Sequence, residues 1–234
     1  MDRRKFVKLC TSTAALVAAN PRLLAQTQTG VANTQRVRLV DGTGKPVHAS
    51  GLKQGETYLF HYPFVGTPCF LVRLPQPARD TSVTYPDGTE IVWPGGVGPD
   101  ASVVAFAAIC PHQLSYPSKT KSFINYRADT SEVAGRSNVI VCCAHHSVFD
   151  PTAGGKVVAG PAPKALTTIL LEHDRASDGL SAIGVLGNDS FRDFFKAYRR
   201  ELNEEFGRGQ YKQKVSESTV VRTLSEYSSQ KFDC

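Results

Sequence analysis

The sequence predicts an all-β fold, an antiparallel sandwich or barrel, followed by one C-terminal helix. Three observations carry this. Short β-branched or aromatic runs recur through residues 36–186, each bounded by Gly, Pro, Asn or Asp. The stretch Tyr85-Pro-Asp-Gly-Thr-Glu90 is a tight-hairpin signal, because Asp-Gly tolerates positive φ. Beyond Asn188 the apolar period changes from that of strands to that of a helix.

The runs, in order, are RVRLV (36–40), TYLFHY (57–62), CFLVRL (69–74), EIVW (90–93), SVVAFAAI (102–109), NVIV (138–141), LTTILLE (166–172) and LSAIGVL (180–186). Regular short strands with such turns belong to sandwiches and barrels. The chain has 234 residues, enough for one domain with end segments, and for a core that needs no disulfide staples.

The ends differ from the middle. Five of the 27 basic residues and one of the 21 acidic ones lie in Met1–Ala25, so the rest carries 22 against 20. That excludes the gathered basic face of a nucleic-acid binder. Residues 1–25 have the layout of an export signal: a basic start, an apolar run from Leu9 to Ala19, then small residues. Arg3-Arg4, followed by Lys5, Phe6 and Lys8, resembles a twin-arginine signal. The run of 11 residues is well short of the ~20 of a spanning helix. The expectation is a periplasmic protein cleaved near Ala19 or Ala25, or one held at the inner membrane where the signal stays uncleaved. Cys10, preceded by Leu9, does not suit a lipoprotein site and reads as inert.

Residues 26–35 read as a polar linker, and 36–188 as the β domain. Residues 189–207 form an amphipathic helix with Phe191, Phe194, Phe195, Tyr198, Leu202 and Phe206 on one face. Ser190 is placed to cap it, with Asp193 three residues on, and Gly207 to end it. The polar tail, 208–234, shows no pattern that assigns it structure.

The chemistry lies in two short stretches. Ala-Ile-Cys110-Pro-His112 offers a C-x-H pair, and Val141-Cys-Cys-Ala-His-His146 offers a C-x-x-H pair in either of two registers. Structural zinc sites usually group like ligands as C-x₂₋₄-C and H-x₃₋₅-H. Here each stretch supplies one thiolate and one imidazole. That suits an asymmetric two-iron cluster, with thiolates on one iron and imidazoles on the other; neutral imidazoles in place of thiolates raise its potential. A structural zinc domain is the non-redox alternative.

Residues 99–172 resemble the Rieske iron–sulfur family. CPHQLS (110–115) stands beside the family's C-x-H-x-x-C, and CCAHHSVFD (142–150) beside its C-x-C-H-x-S-x-Y-D. GPAPKAL (160–166) looks like the proline loop that covers the cluster in cytochrome bc complexes. The resemblance implies one [2Fe-2S] cluster per chain, held by a cluster-binding part at about 99–165. It also settles the register. Counting from His145 puts Ser147 and Phe149 where the family has Ser and an aromatic; counting from His146 does not. The implied ligands are Cys110 and Cys142 on one iron, and His112 and His145 on the other. His146 then takes the family's usual Gly position, and Cys143 a non-ligand one.

The departures matter. Many high-potential members join the two loops by a disulfide, but the positions here are Ser115 and Ala144, and Cys143 finds no partner at Ser115. The Tyr that would bond a cluster thiolate is Phe149, whereas the Ser that reaches a bridging sulfide is kept as Ser147. Hydrogen bonds to sulfur favour the reduced cluster. The expected potential is therefore positive but moderate. Residues 113–141 form a long insertion, in which KSFINYR (121–127) is expected to pack at the cluster's base.

His48, His61 and His173 read as ordinary residues, Cys69 as a core side chain and Cys234 as a free thiol. By resemblance, His145, with His112 beside it, makes the proton-coupled contact with quinol or partner, and Gly160, Pro161 and Pro163 shield the cluster. Oxidising such a cluster makes its imidazole ligands more acidic, which couples proton to electron. The function implied is one-electron transfer as an electron-transfer subunit, not as a stand-alone catalyst. The setting expected first is a quinol-oxidising cytochrome bc-type complex of the quinol–cytochrome c reductase kind. The other is a periplasmic oxidoreductase, such as a molybdenum enzyme of the arsenite oxidase type. The expected partners are a larger redox subunit (cytochrome b/c type or molybdenum enzyme), a c-type cytochrome or other small carrier, and, in the first setting, quinol. A Rieske oxygenase is excluded, because the 46 residues beyond the β domain (189–234) leave no room for a large catalytic domain and hold no His pair for a second iron.

Overall fold

In the computed structural model, residues 31–32, 35–187 and 189–234 are described. The expected signal segment and Cys10 lie outside them. The larger sheet is built from β1 (Val31–Ala32), β2 (Val37–Val40), β3 (Thr57–His61), β4 (Pro68–Arg73), β7 (Val103–Ala107), β12 (Thr168–Asp174), β13 (Gly179–Leu186), β14 (Ser218–Val220) and β15 (Arg222–Thr223). A hairpin, β5 (Thr81–Thr84) and β6 (Glu90–Trp93), turns where Asp87-Gly88 predicts, with Gly88 at φ +83°. A second sheet holds β8 (Ile124–Arg127), β9 (Val139–Cys142), β10 (Ser147–Asp150) and β11 (Lys156–Ala159).

The larger sheet runs β14-β2-β13-β12-β7-β4-β3-β15, with β1 added against β13. Its two end strands are consecutive in the chain. β14 lies parallel to β2, with Ser218 opposite Arg38, and β15 lies antiparallel to β3, with Arg222 opposite Leu59. Val221 joins them and donates its N–H to Val40 O at 2.7 Å. This one segment bridges both edges, leaving a nearly closed barrel and satisfying backbone groups that an open edge would expose.

Strand alternation sorts side chains onto two faces. Phe70, Val72, Val104 and Phe106 face one apolar cluster; Cys69, Leu71, Val103 and Ala105 face the other. Both faces are covered, which is why β4 and β7 read as unbroken apolar runs. The first cluster continues through Ile124, Tyr126, Ile140 and Phe149 to Cys110 and Cys142, so barrel core and metal loops share one packed interior.

Three parts differ from the sequence reading. The helix of 189–207 is two helices, α1 (Phe191–Ala197) and α2 (Arg199–Phe206), broken at Tyr198 (φ −108°, ψ 27°). Tyr198 packs its ring on Tyr116, centroids 4.7 Å apart. The apolar face survives, with Phe191, Phe194, Phe195 and Leu202 buried on the second cluster. Ser190 makes no capping bond; instead the Asp189 carboxylate accepts the Phe191 N–H at 3.0 Å. Gly207 ends α2 at φ +91°. Within the expected linker, Val31–Ala32 pairs with Leu186 and Val185. The tail supplies β14, β15 and the short helix α3 (Leu224–Tyr227), which Thr223 and Glu226 cap reciprocally.

Candidate metal centre

Two loops meet at one end of the smaller sheet. The first follows β7 and closes on itself: Cys110 N–H donates to Ser115 O at 2.9 Å, and Leu114 N–H to Cys110 O at 2.8 Å. The second is the four-residue turn between β9 and β10, closed by His146 N–H donating to Cys142 O at 2.8 Å. Because Cys142 ends β9 and Ser147 begins β10, strand pairing fixes where the turn's side chains point.

The four expected ligands sort into two pairs. Cys110 and Cys142 are buried and hydrogen-bond each other through their thiols. The shared bond favours one thiolate, pulling the Cys110 thiol down and pushing Cys142 up, so the two titrate as a unit. The N–H groups of His112 and Gln113 aim at the Cys110 sulfur, and those of Ala144 and His145 at the Cys142 sulfur. Such donors stabilise sulfur-centred negative charge. The His112 and His145 rings lie edge to face, centroids 4.8 Å apart. His112 is half-buried, and His145 is exposed.

Two polar atoms at the site are buried without a hydrogen-bond partner among the described residues: His112 Nδ1 and Ser147 Oγ. Ser147 Oγ nevertheless faces the Cys110 sulfur closely enough to favour its thiolate. A buried polar atom left alone is costly; an iron at His112 Nδ1 and a sulfide at Ser147 Oγ would satisfy both. Among the described residues, no three His, Cys, Asp or Glu side chains converge on a single ion position. A donor set of one sulfur pair and one nitrogen pair fits a two-iron cluster, with thiolates on one iron and imidazoles on the other.

The remaining expected residues line the same end. Phe149 is fully buried in the cluster that holds both ligand cysteines. Gly160, Pro161 and Pro163 are exposed beside the second loop. Gly160 has φ +84°, and a Cβ there would collide with the His146 carbonyl and lie 2.6 Å from Ser147 Cα. The proline loop thus rests directly on the second loop's backbone, an approach only glycine permits. His146 has φ +61°, the conformation glycine favours, in keeping with its place in the family pattern. The expected packing of 121–127 also holds: Ile124 and Tyr126 share the ligand cysteines' cluster, and Cys143 N–H donates to Phe123 O at 2.6 Å.

Cys234 is not a free thiol. It is disulfide-bonded to Cys143, 91 residues away, so Cys143 finds its partner in the tail. Six cysteines showed that pairing was available, but not which pairs form. Cys69 is a buried thiol, donating to Tyr62 O at 3.1 Å. His48 bonds Ser177 O, and His173 bonds Asp178 at 2.7 Å.

Residues 68–170 match the model of the Rieske [2Fe-2S] domain. The chain is 30% identical over 190 residues to iodate reductase subunit IdrB of Pseudomonas sp. (strain SCT), covering 80% of each chain. It therefore belongs to the Rieske [2Fe-2S] protein family, whose members carry a [2Fe-2S] cluster, and is an electron-transfer protein of that family. A putative respiratory nitrate reductase Rieske subunit of Haloferax mediterranei is 27% identical over 179 residues, covering 71% of this chain and 70% of the relative. The soluble domain of Rieske protein II (soxF) from Sulfolobus acidocaldarius has the same fold, with a TM-score of 0.50 at 23% identity over 69% of this chain and 84% of that one.

Proposed function

We propose that this protein is the small electron-transfer subunit of an exported oxidoreductase, docked to a larger redox enzyme of the molybdenum type. The observation that carries the reading is the likeness, over four-fifths of both chains, to a subunit of iodate reductase. A nitrate reductase Rieske subunit points the same way. Export is supported by Arg3-Arg4 and by the Cys143–Cys234 disulfide, a bond that persists in oxidising compartments.

Cys110 and Cys142 would hold one iron of the cluster, and His112 and His145 the other. When bound, the cluster supplies one-electron chemistry. The chain's own residues do the rest. Backbone N–H groups of both loops stabilise the sulfur charge. Phe149 and the packed β8–β10 interior keep water from the sulfur side. Gly160 seats the proline loop over the second loop. His145, exposed at the tip, presents its outer ring nitrogen to the partner and holds or releases a proton there; His112 stands half-buried beside it.

A second reading, the Rieske subunit of a quinol-oxidising cytochrome bc-type complex handing electrons to a c-type cytochrome, rests on Gly160-Pro161-Ala162-Pro163 at the tip. Affinity purification of the full chain from its native host separates the two. Co-elution of a molybdenum-containing large subunit is expected; co-elution of cytochrome b instead would favour the second reading. Iron and sulfide analysis should give two of each per chain, and a colourless protein would reject both.

A further inference from the structure

The geometry points to residues 228–234 as a clamp that positions the second cluster loop, with Cys143–Cys234 as its catch. The loops carry no bridge of their own, because Ser115 and Ala144 stand where the family places one. The tail joins them from behind. It first grips the exit of the first loop, where Ser228 Oγ donates to Ser118 O at 2.6 Å and Ser229 N–H to Lys119 O at 2.9 Å. It then follows the insertion: Phe232 stacks on Phe123, centroids 4.3 Å apart, and Asn125 Nδ2 donates to Phe232 O at 2.7 Å. It ends on the second loop through the disulfide at Cys143, the residue after the ligand Cys142.

Cys143 N–H also donates to Phe123 O, continuing the β8–β9 pairing in which Ile124 lies opposite Cys142. Phe123 in turn stacks on Phe232, so the tail adds a covalent and an aromatic restraint to the strand pairing that already holds both ends of the second loop. Cutting the disulfide removes the covalent restraint on a four-residue turn that carries the exposed His145. Cys143, Cys234 and Phe232 are therefore positioning residues, acting on the cluster through Cys142 and His145.

The test uses the full-length, cluster-loaded protein in three arms. The first is Cys234→Ser. The second is the parent treated with a phosphine reductant, which supplies two electrons, with two protons from solvent, to convert the disulfide into two thiols. The third is Leu202→Ala, which loosens the buried face of α2 on the other apolar cluster. The readouts are the EPR spectrum of the reduced cluster, the rate of bleaching by chelator, and hydrogen exchange at 143–147. The first two arms should broaden the EPR signal, speed bleaching by about tenfold or more, and raise exchange at 143–147. Leu202→Ala should lower the melting temperature and leave the EPR line shape as in the parent. Unchanged spectra and bleaching in the reductant arm would overturn the clamp, as would equal broadening by Leu202→Ala. If Cys234→Ser does not fold, the reductant arm decides alone.

Discussion

The Ser147 hydroxyl faces the sulfur of Cys110 from the start of β10 and has no other hydrogen-bond partner among the described residues. A donor at that place favours the reduced, more negative cluster. Ser147→Ala should therefore lower the midpoint potential. A hydrogen bond worth ~0.5–1.5 kcal/mol corresponds to ~20–65 mV for one electron. Protein-film voltammetry on the parent and the variant measures the difference, and an unchanged potential would remove Ser147 from the cluster's shell.

Phe149 stands in the same buried cluster as both ligand cysteines and offers no donor. Phe149→Tyr adds one. The variant should shift the potential upward, also by a few tens of millivolts. The parent should lie at a positive, moderate value within the ~−150 to +300 mV Rieske range. A parent already at the top of that range would contradict the role given to this missing hydroxyl.

His145 and His146 are neighbours with opposite expected sensitivities. His146 sits at φ +61°, a conformation that strains a residue with a Cβ by about 1–2 kcal/mol. Glycine relieves that strain but loses more chain entropy on folding, about 0.5–1 kcal/mol. His146→Gly should keep the visible absorption and change stability by no more than about 1 kcal/mol. His145→Gly should bleach the protein. The opposite pattern would move the ligand register by one residue.

His61 is half-buried, and its Nε2 is shut away from water without a partner, between the rings of Phe206 and Tyr227. Burial pushes its pKa down to about 4, helped by Arg222 and Lys119. The unfolded chain takes up this proton near pH 6.5 and the folded one only near 4, so between those values the unfolded state binds more protons. The stabilisation is whole above about pH 6.5 and is lost as pH falls toward 4, on the order of 3 kcal/mol in all. Urea melts across that window should show the slope in the parent and a flatter one in His61→Gln.

What the sequence made legible was local. The hairpin at 85–90, most barrel strands and both ligand loops are written in neighbouring residues, where turn chemistry and alternation operate over a few positions. Three features were not. Strands of four residues such as Ile124–Arg127 and Lys156–Ala159 are too short to establish a period. The break falls at Tyr198, whose ring packs on Tyr116, a residue far away in sequence. The bond between Cys143 and Cys234 depends on where the tail ends up, which no local pattern encodes. The two Cys-His pairs could be read, but the tail contacts behind them could not.

The segment Ser218–Thr223 joins the two edge strands of the barrel, and residues 228–234 reach the second loop. Everything these stretches fasten is synthesised before them. A nascent chain that has produced all four ligands still has an open barrel and an untethered turn, and contacts between such distant residues form slowly. A chain lacking residues 218–234 would hold both Cys-His pairs but neither the strands that bridge the barrel's edges nor the bond that ties the second loop.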